Sequence, residues 1–250
     1  MFLFGGILGT LHHLYFTGTP TSIIAIGSMF SALEVVPLAI IGVEAYRNYQ
    51  RSQAAPWVQA YKWPILCFIA VGFWNVIGAG LLGFAINTPI ALYYMQGMNM
   101  TAAHGHAALF GVYGMLGIGL LLFCLRGLTD RLAWSDSALR PMFWLLNIGL
   151  AMMVFLSLLP AGIYQAWASI TKGVWFARSA EVVHSPFMET MVWMRVPGDI
   201  VFSIGVLFLC IFMWRLVFQN RPARKLAAAK LAATHLAATQ LAGATPAPVK

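Results

Sequence analysis

The sequence predicts an all-α, polytopic membrane helix bundle, and three observations carry that prediction. Of its 250 residues, 60% are hydrophobic and only 9% are charged, with a mean hydropathy of +0.79. Ordinary soluble domains do not have such a composition. Five apolar stretches, near residues 22–46, 63–86, 91–125, 141–170 and 188–218, are long enough to cross a hydrocarbon core of about 30 Å as helices. Lastly, the basic residues gather in connections between those stretches.

A sixth apolar segment, residues 1–16, is a little short for a crossing and has neither a charged leading region nor a small-residue cleavage site. It reads as part of a helix and not as a signal peptide, so six crossings are expected. The connection at 44–62 carries Arg47, Arg51 and Lys62, the one at 126–140 carries Arg126, Arg131 and Arg140, and the tail carries Arg215, Arg221, Arg224, Lys225 and Lys230. The connections at 17–21 and 87–100 carry no charge, and the one at 171–187 has Lys172, Arg178 and Glu181. By the positive-inside rule the basic connections and the C-terminus are cytoplasmic. The net charge of +8 therefore reports topology, and without clustered basic and aromatic residues it gives no sign of nucleic-acid binding.

The membrane domain is expected over 1–220, followed by a cytoplasmic low-complexity tail at 221–250. In that tail Leu226, Leu231, Leu236 and Leu241 recur every five residues, a period that scatters them round a helix and builds no apolar stripe. His235 stands alone there and is assigned no role. Cys67, Cys124 and Cys210 lie singly in separate apolar segments and read as small buried hydrophobes, not as a disulfide or metal framework.

Ionisable groups at membrane depth are costly and mark function by default. The inventory is His12, His13, Glu34, His104, His106, Arg195 and Asp199. Any one of them alone is as well explained by a hydrogen bond to a neighbouring helix; four histidines in two tight pairs are harder to explain that way. His12 and His13 lie near the outer end of the first segment, and His104 and His106 lie roughly 20 Å below the outer mouth of theirs at 1.5 Å per residue, so the pairs can meet. Residues two apart on a helix point about 200° from each other, so His104 and His106 serve two different centres, whereas adjacent His12 and His13 can converge on one metal. Imidazole suits iron, copper and zinc alike, and the glycine-rich, aromatic run HGHAALFGVYG permits a haem. Glu44, Arg47 and Arg51 read as a solvated helix end, and Glu181, His184 and Glu189 as an outer loop.

The segments HHLYFTGTP, SMFSALEVVPL, TAAHGHAALFG and WMRVPGD, in that order across nearly all of residues 1–220, resemble the catalytic subunit of bacterial nitric oxide reductase, a branch of the haem-copper oxidase superfamily. The six helices would correspond to the last six of that subunit. Two features favour this branch: Glu34 stands in the helix where proton-pumping oxidases carry a lysine, and HGH replaces the oxidases' HFH. The stretches WFARSAEVVHSP and WMRVPGDIVF look more like the quinol-dependent type than the cytochrome c-dependent one.

The resemblance implies that His104 binds a high-spin haem b, that His106 is one axial ligand of a low-spin haem b, and that His12 and His13 bind a non-haem iron. It makes Glu34 the residue beside that iron, in proton delivery or electrostatic tuning. It sets Asp199 at the quinol pocket, with Arg195 pairing either with Asp199 or with a haem propionate; an ion pair that merely anchors the helix end is the bland alternative. The implied reaction of denitrification reduces two nitric oxide molecules to nitrous oxide and water, with quinol, or a cytochrome c subunit, as donor. The second axial histidine and the remaining iron ligands would lie on preceding helices or a complementary chain, so residues 1–250 alone are expected to be incomplete and inactive. Two rival readings are a proton-pumping terminal oxidase subunit and a transporter-like membrane protein whose histidines are structural.

Overall fold

A computed structural model describes residues 2–52, 55–129, 134–218 and 234. Among these residues the regular structure is entirely helical, and five helices are long and apolar enough to cross a membrane: α2 (Thr21–Ser52), α4 (Lys62–Asn87), α6 (Asn99–Leu128), α7 (Asp136–Lys172) and α9 (Pro186–Phe218). They overlap the five apolar stretches of the sequence, and the chain is a multi-pass membrane helix bundle. The stretch at 91–125 is corrected, since a short helix at Pro89–Met95 ends before Gln96 and the span begins at Asn99, which puts His104 about 8 Å from its start and not about 20 Å. The shorter elements are α1 (Phe2–Gly9), α3 (Pro56–Ala60), α5 (Pro89–Met95) and α8 (Ala180–Val183).

The segment expected as a sixth crossing is α1 continued by a 3-10 stretch at Thr10–Leu14. Together they rise about 22 Å, short of a full hydrocarbon core. Of the tail at 221–250, only Thr234 falls among the described residues.

Where lipid surrounds a bundle, helices gain little from burying apolar surface, and close backbone approach at small residues does the holding. The tightest pairing here, α7 with α9, follows that rule. A Cβ on Gly149 would meet the Phe202 backbone nitrogen at 2.5 Å, one on Gly198 would meet that of Met153 at 2.8 Å, and one on Gly205 would meet that of Leu146 at 2.8 Å. A core of Trp63, Cys67 and Trp74 from α4, Met115 and Leu122 from α6, Leu139 and Leu146 from α7, and Phe212 from α9 fills the middle of these four helices. Its polar edges are satisfied: Trp63 Nε1 donates to Asp136 Oδ1 at 2.6 Å and Trp74 Nε1 to Asn147 Oδ1 at 2.8 Å. Cys67 is buried in this core as expected. Cys124 and Cys210 correct the sequence reading, since both lie exposed on the outer faces of their helices, and all three are free thiols.

Three helices contain wider π turns, Asn75–Leu82 in α4, His106–Gly114 in α6 and Met153–Leu158 in α7. Such turns often accompany functional sites. Here the first two pack against each other and flank the HxH motif.

Candidate functional site

The site is assembled around glycines that let backbones touch. His12 and His13 occupy the 3-10 turn Thr10–Leu14, which lies flat on α2 because Gly27 has no side chain: a Cβ there would stand 2.5 Å from the His12 nitrogen and 2.6 Å from Leu11 Cβ. α2 is in turn tied to the C-terminal end of α4, where Ser28 Oγ donates to the Asn87 carbonyl and Asn87 Nδ2 donates to Ser31 Oγ at 3.0 Å. Higher on α4, Gly83 makes room for the His104 ring, whose Cε1 would lie 3.1 Å from a Cβ at that position. The histidine doublet and the HxH motif thereby become neighbours across α2 and α4, and His104 lies within electrostatic reach of both His12 and His13.

The ring nitrogens are arranged in a common way. His12 Nδ1 is hydrogen-bonded to the Gly9 carbonyl, His104 Nδ1 to the Gly78 carbonyl at 2.8 Å, and His106 Nδ1 to the Ala102 carbonyl at 2.9 Å. A carbonyl only accepts, so each Nδ1 carries the proton, and a neutral ring then offers its lone pair at Nε2. This is how proteins orient histidines that bind metals. His12 is buried, His104 and His106 are half-buried, and His13, its ring centroid 4.1 Å from that of His12, is exposed. His104 and His106 also meet different helices, α4 for the first and α9 for the second, as their angular separation on α6 requires.

His106 Nε2 lies 3.0 Å from Arg195 Nη2. Arginine only donates, so this contact uses the lone pair that a metal would take. Arg195 also pairs with Asp199, Nε to Oδ2 at 3.3 Å, one turn along α9. Of the partners expected for Arg195, Asp199 is thus present, and His106 is an additional one that no local pattern of residues signals. Asp199 borders a shallow hollow of about 350 Å³ with Ile200, Ser203, Ile204 and Leu207. Glu34 sits at the turn between the two halves of α2, its carboxylate facing Gly6 of α1 at 3.6 Å from the place of a Cβ. Six residues, or about 9 Å of helix, separate Gly6 from His12.

Outside the spans, the turn after the doublet is fixed by Arg178. Phe16 holds a positive φ of 64°, which is strained for a bulky residue. The guanidinium of Arg178 lies 5.5 Å from the Phe16 ring centroid and donates to the carbonyls of Val174, at 2.8 Å, and Gln96. Burial holds its pKa below the ordinary arginine value. Sequence reasoning placed Arg178 only as a loop charge, since nothing local announces a contact across 82 residues.

Among the described residues no three His, Cys, Asp or Glu side chains converge as a metal site needs. The histidines therefore fit metal or haem as donors in a partial set: tautomer and orientation suit the task, while the number falls short of a closed three-ligand centre.

Comparison with known proteins gives the family of the chain. The chain is 31% identical over 220 residues to a nitric oxide reductase subunit of Stutzerimonas stutzeri, covering 82% of this chain and 43% of that protein. It is 27% identical over 227 residues to the Cbb3-type cytochrome c oxidase subunit CcoN1 of the same organism, covering 87% and 45%. The chain thus spans less than half the length of these curated relatives. Residues 1–201, which contain the doublet, the HxH motif, Arg195 and Asp199, match throughout the family described as cytochrome c and quinol oxidase polypeptide I. The chain belongs to that family, the membrane oxidoreductases of the haem-copper oxidase superfamily.

Proposed function

We propose that this chain is the C-terminal half of a nitric oxide reductase catalytic unit in a bacterial inner membrane, with its C-terminus cytoplasmic. The observation that carries the reading is the shared geometry of His12, His104 and His106, each with Nδ1 tied to a carbonyl so that the lone pair lies at Nε2, unshared among the described residues in His12 and His104 and held by Arg195 in His106, in a chain 31% identical to a nitric oxide reductase subunit. His104 would hold a high-spin haem b, His106 a low-spin haem b, and His12 with His13 a non-haem iron. When bound, these irons would supply the redox chemistry that joins two nitric oxide molecules, breaks one N–O bond and yields nitrous oxide and water, consuming two electrons and two protons.

The residues of this chain then have distinct tasks. Gly78 and Ala102 present the carbonyls that keep the two α6 imidazoles in the ligating tautomer. The short HGH segment holds two centres on opposite sides of one helix, which keeps the path between them brief. Glu34, facing α1 below the doublet, is placed to hold or pass a proton toward His12 and His13. Asp199 is the acceptor for a quinol hydroxyl in the hollow beside Ile200 and Ser203, and Arg195 holds its carboxylate in position. Arg195 must also give up His106 when that ring binds iron, because one lone pair cannot serve both.

The likeness to a cytochrome c oxidase subunit supports a second reading, a terminal oxidase of the same superfamily. Both are tested on the intact assembly purified from membranes. The reductase reading expects iron without copper, nitrous oxide formed from nitric oxide with a quinol donor, and little oxygen uptake. Copper together with oxygen reduction would replace it with the oxidase reading, and absence of any metal would overturn both.

A further inference from the structure

Helices α2 and α4 meet closely at one level and part below it. A Cβ on Gly42 would lie 2.9 Å from Val76 Cγ2, so the two are in contact there. Ten residues further along α2, about 15 Å at 1.5 Å per residue, the chain has reached Ser52 and must return to Lys62 through α3. This divergence opens a cleft between the basic ends of the two spans. It has two lobes that share Tyr49, Val58 and Ile65. The outer lobe, about 230 Å³, is bordered by Gln59 and Lys62, and the inner one, about 190 Å³, runs between Trp57, Phe68 and Ile69.

Three properties decide what would fit. The first is charge: the lining holds the Lys62 ammonium and no carboxylate, and among the described residues no acid lies within ion-pair range of Lys62. Glu44, on the same stretch of α2, is outside the lining and is outweighed by Arg47 and Arg51. The second is polarity, which falls from the lobe beside Gln59 and Lys62 to the one between Trp57, Phe68 and Ile69, with Trp57 exposed, as aromatic residues at a membrane interface commonly are. The third is size. Neither lobe alone reaches the roughly 300–1,000 Å³ of a site that encloses a whole small molecule, so an occupant must run through both, and the exposed Trp57 leaves the second open to the exterior. The cleft is shaped for one end of a molecule whose remainder stays in the bilayer.

We propose that this cleft binds an anionic phospholipid, with its phosphate on Lys62 and Gln59 at the mouth and the first part of an acyl chain along Trp57, Phe68 and Ile69. The site is separate from the histidine centres, on the opposite ends of the spans, and stands or falls independently of the reaction they catalyse.

The experiment uses the full assembly purified in mild detergent, exchanged into nanodiscs of phosphatidylethanolamine with a minor share of phosphatidylglycerol, and analysed by native mass spectrometry and lipid extraction. The wild type is expected to retain phosphatidylglycerol selectively, and Lys62→Gln to lower that preference about five-fold, the worth of one basic residue near a membrane surface. Lys62→Arg should keep the preference, and Ile69→Trp, which fills the apolar lobe and leaves the charge, should abolish retention. Size-exclusion elution and circular dichroism of each variant report that it is folded. Equal retention of both lipids by wild type and Lys62→Gln, a quinone recovered in place of lipid, or a cleft closed to lipid by another segment of the assembly would each overturn the proposal.

Discussion

Replacing Gly78 by alanine tests the helix contact on which the candidate haem ligand depends. An added Cβ would lie 2.7 Å from both the carbonyl carbon and the Cβ of Ala107, about 0.7 Å inside ordinary van der Waals contact. The obstacle is backbone and cannot rotate aside, so α4 and α6 must separate. Moved by that amount, the 2.8 Å bond from His104 Nδ1 to the Gly78 carbonyl lengthens to about 3.5 Å, beyond useful hydrogen-bond range. Overpacking costs about 1–3 kcal/mol and the lost bond about 0.5–1.5 kcal/mol, against roughly 0.5–1 kcal/mol gained from alanine in a helix. The net loss is about 0.5–4 kcal/mol. Gly72→Ala on the same helix is the control, since a Cβ there meets nothing within 4 Å, and it should be neutral or slightly stabilising. Equilibrium unfolding of the assembly in mixed micelles reads the stability difference. Under the proposed function, resonance Raman of the iron–histidine stretch should move in Gly78→Ala and stay fixed in Gly72→Ala. Equal stability of the two variants would refute the packing argument. An unchanged stretch in a destabilised Gly78→Ala would refute the role of its carbonyl.

Other outcomes follow from the same contacts. Trp74→Phe removes the donor to Asn147 and leaves a part-buried amide oxygen unpaired, so stability should fall by about 1–3 kcal/mol, and the double variant with Asn147→Leu should recover part of it in a thermal melt. Arg178→Ala frees the turn at Phe16 and the Gln96 carbonyl; hydrogen exchange at residues 15–19 should rise at least ten-fold, with Arg178→Lys between the two. Asp199→Asn breaks a half-exposed ion pair of about 0–1 kcal/mol, so the melt should barely move. If Asp199 receives quinol, KM for quinol should rise while turnover with an artificial donor to the low-spin haem stays unchanged.

How much of this was legible in the sequence depends on the range of the interaction. The spans were plain because lipid imposes a length and a composition on every crossing helix, and α2, α4, α6, α7 and α9 lie where hydropathy put them. That His104 and His106 face different neighbours was also legible, because the turn angle of a helix is local geometry. The contacts of Gly27 with the doublet and of Gly78 with Ala107 were not, since small residues abound in membrane helices and only the partner helix decides which glycine is a touching point. The sixth segment was legible in part: its apolar run predicts a helix but not the 3-10 tightening at Thr10–Leu14, which turns His12 onto α2. Cys124 and Cys210 were misjudged for a related reason, because in a bilayer an apolar residue gains as much facing lipid as facing the core.

The three anchored imidazoles differ in one respect that bears on how the site would fill. His12 and His104 take their carbonyl partners from Gly9, three residues back along the same turn, and from a neighbouring helix, and neither makes a hydrogen bond at Nε2 among the described residues. His106 takes its carbonyl from its own helix, and its Nε2 is already occupied by Arg195. Arginine only donates, so that contact matches the tautomer with its proton on Nδ1 and its lone pair on Nε2, the form in which the ring can serve a metal. It also supplies a retreat, since the same guanidinium is held by Asp199 and the charge need not be stranded when His106 changes partner. The Arg195–Asp199 pair therefore joins two sites assigned separately, the His106 ligand position and the hollow beside Asp199. Under the proposed function, filling one would alter the charge seen by the other and link a donor pocket to a redox centre through a single side chain.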